Sequence, residues 1–375
     1  MEIIWFKNNH EQRNDLLRYG FMRLHHRGDV KYHEYPQSDC PNFGFSESVA
    51  CHEHRHTSLI LIRDGVRRVR CLVDSEDSFF WMCPLIAEVD CYLCAGYNSD
   101  FFDKKQFLVP YSWQTEPEIR FYRELANELI RLWGSYFGCV RRFIPIAPNM
   151  GSKKLVPPLK QKYRNIRYRL LSNFSQTLYW QNAFLEYEFR YAELLELRNR
   201  PLLYDIVLLD TLWGWPRHRL NLHRKLQTIS NRYRIHSRLN WNDPLPHDGS
   251  SLNPLDPTEF PVETKAIDDY ETMLASSRLA VFATGFHWGW RSVMSLALMI
   301  GLPIYMDRPV LEPWFSLDEF DIRWNDDGDW SDIEKHLASV TESNWERIKK
   351  RNQAQYDTLM NPARVAEYVI STALH

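Results

Sequence analysis

The chain has 375 residues, of which 44% are hydrophobic and 25% are charged, and its formal net charge at pH 7 is −2. This length exceeds what one hydrophobic core usually supports, and the composition is that of a globular protein, so we expect two domains. The near-neutral charge excludes a global positive field that would recruit nucleic acid. The aromatic fraction of 14% fits either aromatic-rich cores or an open binding surface.

The start of the chain and its cysteines predict a cytoplasmic protein. The first five residues, Met1 to Trp5, lack the basic and apolar regions of a signal peptide, and no apolar run approaches the ~20 residues that span a bilayer. The seven cysteines are an odd number without the spacing of a disulfide framework, so we expect reduced thiols. Cys91 and Cys94 form an isolated C-x-x-C, which indicates a buried strand rather than a zinc site.

Residues 1–150 alternate short apolar runs with amphipathic stretches, which predicts βαβ units and a mostly parallel sheet in an N-terminal Rossmann-like, acceptor-side domain. A helix is predicted from Asn14 or Asp15 to His26, where Gly28 ends it. Strands are expected at residues 3–6, 30–35, 59–62, 69–73, 90–94 and 143–146.

Residues 151–200 differ in composition, and we interpret them as a helical connector. A break at Gly151 and Pro157 is followed by a long helical pattern. The basic run 153–169 fits either a contact with an anionic membrane surface or a solvated helix face.

Residues 201–375 repeat the alternation of strands and helices and predict a second Rossmann-like domain with a helical tail from about residue 331. Strands are expected at residues 204–209, 234–238, 279–283 and 302–306. Helices are expected at residues 217–233, 267–276 and 290–300, the last of them closed by Gly301.

A glycine-containing loop, Thr284 to Gly289, separates a predicted strand from a predicted helix. The backbone N–H groups at such a junction, together with the positive end of the helix dipole, suit a phosphate. Gly285 and Gly289 let a backbone approach a ligand closely. Arg291 follows in the first turn, where it opposes the helix dipole and therefore points to a nearby anion.

This unit resembles the exostosin-like pattern of GT-B glycosyltransferases. In that family a tyrosine-led helix precedes a strand that ends in a Pro or Gly loop, an arginine opens the next helix, and a Gly-x-Pro-[VI] strand follows. The matching segments here are Tyr270 to Gly285, then Arg291, then Ala297 to Tyr305. The resemblance covers roughly residues 270–325, with weaker echoes at residues 204–238 and 67–97.

The resemblance implies an α/β fold of the GT-B type, with two Rossmann-like domains that face a cleft. It implies transfer of a sugar from a nucleotide-activated donor to a glycan or lipid-linked acceptor in cell-surface polysaccharide synthesis, without metal or cofactor. The donor-binding residues would be Thr284, Gly285, Gly289, Arg291, Ser292 and Asp307.

One departure from the family leaves alternatives open. The family usually carries a glutamate that contacts the donor ribose three residues after the arginine, whereas this chain has Met294. The alternatives are a non-catalytic α/β protein that binds a nucleotide or glycan, and a phosphosugar-processing enzyme.

Three residues are candidates for catalysis. Asp74 and Asp77 follow the strand predicted at residues 69–73, so they would lie at the carboxyl edge of the first sheet, either as a base for the acceptor hydroxyl or as helix caps. His287 lies within the glycine loop, where it would either donate a hydrogen bond to a phosphate, act as a base near pH 7, or be a packed histidine. We interpret the alternating histidines 52–56 as an exposed strand or loop. We interpret the acidic stretch 325–329 as a turn and helix cap, so no metal site is expected at either place.

Overall fold

The computed structural model describes residues 1–8, 12–53, 56–76, 78–144, 176–212, 214–240, 255 and 269–375, with isolated helical positions at 163, 166 and 170. Within these ranges the chain is an α/β protein with two sheets, one of six strands and one of five.

The first sheet has the strand order β2-β1-β3-β4-β5-β6. Its strands are β1 (Glu2–Lys7), β2 (Lys31–Pro36), β3 (Thr57–Asp64), β4 (Arg67–Asp74), β5 (Cys91–Cys94) and β6 (Val140–Arg142). A strand is predicted at 143–146, whereas β6 ends at Arg142 and Phe143 and Ile144 are buried beyond it; residues 145 and 146 lie outside the described part of the chain.

The first sheet is mixed: three of its five neighbouring strand pairs are parallel, in agreement with the prediction of a mostly parallel sheet, and the departure from that prediction is β3. Strand β3 is antiparallel to both β1 and β4, whereas the other neighbouring pairs are parallel. Only Gly65 and Val66 separate β3 from β4, and Gly65 has a φ of 59°. A two-residue turn of this kind closes a hairpin, whereas a parallel crossover needs a dozen residues or more.

Within the described ranges, four helices accompany the first sheet: α1 (Asp15–Arg27), α2 (Glu47–Cys51), α3 (Ser99–Phe102) and α4 (Glu116–Trp133). The predicted helix at 15–26 is confirmed, and Gly28 ends it with a φ of 86°. Helix α4 begins with a capping box between Thr115 and Glu118, which fixes its N-terminus.

Helix α5 (Gln176–Glu196) lies in the stretch that the sequence predicts to be a connector, and it contacts both α1 and the residues after position 269. Its Tyr187 hydroxyl lies 2.9 Å from an Asp15 oxygen and 2.9 Å from an Arg18 nitrogen, and its Arg190 lies 3.2 Å from Glu271. The basic run 153–169, apart from positions 163 and 166, lies outside the described residues.

The second sheet is parallel throughout, with the order β11-β10-β9-β7-β8. Its strands are β7 (Tyr204–Thr211), β8 (Ile235–Asn240), β9 (Ser277–Phe282), β10 (Ile304–Met306) and β11 (Ile322–Trp324). A parallel sheet with connecting helices is compatible with the Rossmann-like domain expected here.

Among the described residues of this half of the chain there are six further helices. They are α6 (Pro216–Ile229), α7 (Tyr270–Ala275), α8 (Ser292–Ile300), α9 (Ile333–Ser339), α10 (Glu342–Leu359) and α11 (Pro362–Leu374). Gly301 ends α8 with a φ of 94°, as the sequence predicts. No helix among the described residues combines the length and apolar character needed to cross a membrane.

The last helix, α11, returns to the first domain and packs against α1. The contact is so close at Gly20 that a Cβ there would lie 2.0 Å from the carbonyl oxygen of Pro362. Buried side chains of the first sheet, α8, α10 and α11 share one hydrophobic cluster, and this shared core holds the carboxyl edge of the second sheet against the first domain.

Candidate functional site at the carboxyl edge of the second sheet

The carboxyl ends of four parallel strands bring the polar residues of this site together. β7 supplies Asp210, the loop after β9 supplies residues 283–291, Asp307 follows β10, and Asn325 follows β11. Carboxyl ends of parallel strands meet at one edge, which is where open α/β sheets bind ligands. Aromatic residues of the first domain cover this edge; the Tyr111 hydroxyl, for example, donates to the Arg308 carbonyl at 2.8 Å.

The loop after β9 is folded tightly on itself. A Cβ at Gly285 would lie 2.2 Å from the carbonyl oxygen of Gly289, and the Gly289 N–H donates to the Phe286 carbonyl at 2.8 Å. His287 and Trp288 both have positive φ, at 49° and 62°. Gly285 is therefore required by a close approach within the loop, and its carbonyl already accepts from the Trp215 indole N–H at 2.8 Å.

Arg291 forms a two-point ion pair with Asp210. Its two terminal nitrogens lie 2.7 and 2.8 Å from the carboxylate oxygens, and a third nitrogen, from Arg219, lies 3.1 Å away. Burial alone would raise the pKa of Asp210, but the two guanidinium groups outweigh it and hold the pKa below its usual range. The anion that the sequence predicts beside Arg291 is present as the protein's own carboxylate.

Asp307 is fully buried and accepts hydrogen bonds from three elements. The Thr284 N–H donates to it at 2.8 Å, the Asn325 amide donates at 2.8 Å, and the His218 Nε2 lies 2.9 Å from one carboxylate oxygen. Asp307 thus connects the loop after β9, the end of β11 and the first turn of α6. Its role in the structure is to orient His218 and the Thr284 backbone.

The second ring nitrogen of His218, Nδ1, has no hydrogen-bond partner among the described residues, although the side chain is only 3% exposed. The Trp113 ring stacks on the imidazole with centroids 4.0 Å apart. His218 and Trp113 line a cavity of about 170 Å³ between the N-terminal ends of α4 and α6. The other lining residues are Glu118, Trp215, Pro216, Arg217 and Asn221.

The remaining donor-site candidates lie at the same edge in different settings. The Thr284 hydroxyl lies 3.4 Å from the Tyr111 hydroxyl, and Ser292 is exposed at the start of α8. Met294, at the position of the family glutamate, is fully buried in the hydrophobic cluster. The side chain at this position therefore packs into the core.

His287 is packed between the domains. Its Nδ1 lies 2.9 Å from the Tyr122 hydroxyl, and the rings of Phe80 and Trp81 lie against it. Burial lowers the pKa of His287 to about 3, so the imidazole is neutral at pH 7. This environment favours the packed histidine over a base that works near neutral pH.

Asp74 is not brought to this site by any contact within the described part of the chain. Asp74 accepts hydrogen bonds from the Tyr92 hydroxyl, from the Glu76 N–H at 2.9 Å and from the Cys83 N–H at 3.4 Å, all within the first domain. Burial raises the pKa of Asp74 to about 6. Asp77 lies outside the described residues.

Sequence reasoning missed His218, which is the residue with the most distinctive geometry in the site. The signal that could have identified His218 is its position in the sequence. It follows the buried strand β7 and lies in the first turn of α6, where side chains face the carboxyl edge of the sheet. Its carboxylate partner is 89 residues away, which no local pattern encodes.

Among the described residues, no group of three or more His, Cys, Asp or Glu side chains is arranged to hold a metal ion. No protein-family model matches the chain, and a search of curated proteins finds no significant match.

Proposed function

We propose that the chain is a glycosyltransferase of the GT-B type, which moves a sugar from a nucleotide-activated donor to a hydroxyl of a glycan or lipid-linked acceptor. We place it at the cytoplasmic face of the membrane, in the synthesis of a cell-surface polysaccharide. The observation that carries the proposal is the buried Asp307–His218 pair, whose unbonded Nδ1 belongs to a ring that lines the cavity between the two domains. The resemblance over residues 270–325 supports the same reading.

His218 would act as the general base. If Nε2–H donates to Asp307, then Nδ1 carries the lone pair of the neutral imidazole. Nδ1 would accept the proton of the acceptor hydroxyl while the hydroxyl oxygen bonds to the anomeric carbon of the donor sugar. The bond from that carbon to the phosphate oxygen breaks, and the nucleoside diphosphate leaves. Base assistance of this kind contributes about 10²–10⁴-fold in rate.

The cluster around Asp210 would hold the donor diphosphate. Two guanidinium groups face one carboxylate, so a net positive charge remains at the edge of the sheet. The Arg291 side chain is 14% exposed, whereas that of Arg219 is 7% exposed, so Arg291 is the better placed of the two to meet a ligand. Arginine suits this task because its planar group can bond two phosphate oxygens at once.

The cavity is smaller than the whole donor requires. Ligand sites commonly enclose about 300–1,000 Å³, whereas this one measures about 170 Å³. We therefore expect the two domains to move apart at Trp113 and Trp215 when a nucleotide sugar binds.

A nucleotide- or glycan-binding protein without catalysis is the second candidate. Two observations favour it: Met294 is buried in place of the family glutamate, and the Arg291 guanidinium is already paired with Asp210. It shares the donor site with the first candidate and differs in lacking turnover.

The test combines nucleotide binding with turnover. Calorimetric titration with uridine, guanosine and cytidine diphosphates should identify one that binds, and the matching nucleotide sugars are then assayed for transfer. His218→Gln should lower turnover by about 10²–10⁴-fold while nucleotide affinity stays unchanged. His236→Gln, on the exposed surface of β8, is the matched control and should leave both unchanged.

Each result decides between the candidates. Nucleotide binding without transfer in any assay supports the binding protein, and the absence of nucleotide binding overturns both readings of the site. Turnover should survive EDTA, since the sequence predicts no donor metal. A loss on chelation that manganese or magnesium restores would contradict a metal-independent reaction.

A further inference from the structure

A second cavity, of about 310 Å³, lies at the outer edge of the second sheet. It is bordered by the edge strand β11, by the end of α9 and by one face of α10, and none of its residues lines the cavity at His218. Its lining residues are Asp321, Arg323, Ser339, Val340, Asn344, Arg347, Ile348 and Arg351.

Three arginines give this cavity a positive lining. Arg347 and Arg351 are four residues apart on α10 and therefore lie on the same helix face, and Arg323 faces them from β11. None of the three is paired with a carboxylate among the described residues. Within the described part of the chain, Arg351 donates to the Glu319 carbonyl, at 3.5 Å, and to no carboxylate.

This arrangement differs from that of other surface arginines of the same chain. Arg27, Arg131 and Arg364 each lie within 2.9 Å of a glutamate oxygen. Three guanidinium groups around one concave space, with a single carboxylate from Asp321, leave an excess of positive charge that an anion would neutralise. Guanidinium groups bond phosphate oxygens in pairs, which makes phosphate the best fit.

The acceptors in the cavity specify the rest of the ligand. The Asn344 amide nitrogen donates to the Ser339 carbonyl at 2.9 Å, which fixes the orientation of the side chain. Its Oδ1 is buried and has no hydrogen-bond partner among the described residues, although a buried acceptor usually has one. Together with Asp321, this oxygen would accept hydrogen bonds from hydroxyl groups of a ligand.

We propose that this cavity binds a phosphate monoester of a small polyol, such as a sugar phosphate, with the phosphate on Arg323, Arg347 and Arg351 and a hydroxyl on Asn344 Oδ1. A volume of about 310 Å³ is sufficient for a ligand of this size. The site is separate from the cleft between the domains and does not depend on the function proposed for that cleft.

The test is calorimetric titration of the full chain with glucose 6-phosphate, glucose 1-phosphate, glycerol 3-phosphate, inorganic phosphate and glucose. At least one of the three esters should bind at one site per chain, more tightly than inorganic phosphate, and glucose should not bind. Arg347→Ala should lower the affinity for the ester by about 10–100-fold, because a hydrogen bond between charged groups is lost. Arg347→Lys keeps the charge but not the paired geometry and should be intermediate.

Lys350→Ala is the matched control, since Lys350 is exposed on the same helix and does not line the cavity. It removes the same charge and should leave affinity unchanged. The proposal is overturned if none of the esters binds, if Arg347→Ala retains full affinity, or if Lys350→Ala weakens binding equally. Binding of inorganic phosphate as tight as that of the esters also overturns it.

Discussion

Asp74 at the end of β4 and Asp210 near the end of β7 are both buried carboxylates at the carboxyl edge of a sheet, 2% and 5% exposed. Asp74 is surrounded by neutral donors, a tyrosine hydroxyl and two backbone N–H groups, and burial raises its pKa to about 6. Asp210 faces Arg219 and Arg291, which together overcome burial and lower its pKa. The neighbours of each carboxylate, and not its place at a strand end, decide its charge.

The largest effect should come from removing the carboxylate that two arginines share. Asp210→Ala removes the carboxylate that neutralises the buried guanidinium groups of Arg219 and Arg291. We therefore expect the free energy of unfolding, measured by urea denaturation, to fall by about 3–5 kcal/mol. Asp326→Ala is the control, because Asp326 pairs with Arg308 where both side chains are more than half exposed. Equal stabilities of the two variants would show that the Asp210 cluster contributes no more than a surface pair.

The pH dependence of Asp74 should have the opposite sign to that of a paired carboxylate. Its folded pKa of about 6 exceeds the reference value of 3.8, so the folded protein binds the extra proton between these values. The stabilisation that Asp74 contributes to the free energy of unfolding is then fully present below about pH 4 and is lost as the pH rises through about 6. The total loss is at most about 3 kcal/mol. Asp74→Asn cannot ionise and should lack this loss.

Urea denaturation of the wild type and Asp74→Asn from pH 4 to pH 7 measures this difference. Asp90 provides the contrast, since Arg70 lowers its pKa and its pair is substantially exposed. The contribution of Asp90 is present above its unfolded pKa and is lost as the pH falls, with a smaller amplitude. If the wild type and Asp74→Asn show parallel pH profiles, the raised pKa is wrong.

A smaller effect is expected from the loop that carries Arg291. Gly285→Ala places a Cβ 2.2 Å from the Gly289 carbonyl oxygen, so the loop must shift, and we expect a loss of about 1–3 kcal/mol in the free energy of unfolding. Gly138→Ala, where no atom lies within 4 Å of the added Cβ, should be neutral. A neutral Gly285→Ala would mean that the loop tolerates another conformation.

The smallest effect concerns the contact between His287 and the first domain. Tyr122→Phe removes the hydroxyl that lies 2.9 Å from His287 Nδ1, and we expect a loss of about 1 kcal/mol in thermal or urea denaturation. Because burial lowers the pKa of His287 to about 3, the loss should be the same from pH 5 to pH 8. A loss that varies with pH in this range would show that His287 titrates there.

Local patterns in the sequence determined the elements of the second domain. The apolar run in β7, the Gly loop after β9 and Gly301 at the end of α8 are each encoded within a few residues, so hydrophobic periodicity and glycine conformation were sufficient to predict them. The same reasoning located β3 and β4 but not the reversed direction of β3, because a turn of two residues decides whether neighbouring strands pair in antiparallel order.

The chemistry of the candidate site was decided only by the tertiary structure. Sequence reasoning placed Arg291 beside an anion, but it could not show that Asp210, 81 residues earlier, supplies the carboxylate. It did not select His218, because this histidine is distinguished by its hydrogen bond with Asp307 and its stacking on Trp113 of the other domain. Hydrophobic periodicity indicates which side chains are buried within one element. The partners of Arg291 and His218 depend instead on the order of strands in the sheet and on the packing of the two domains.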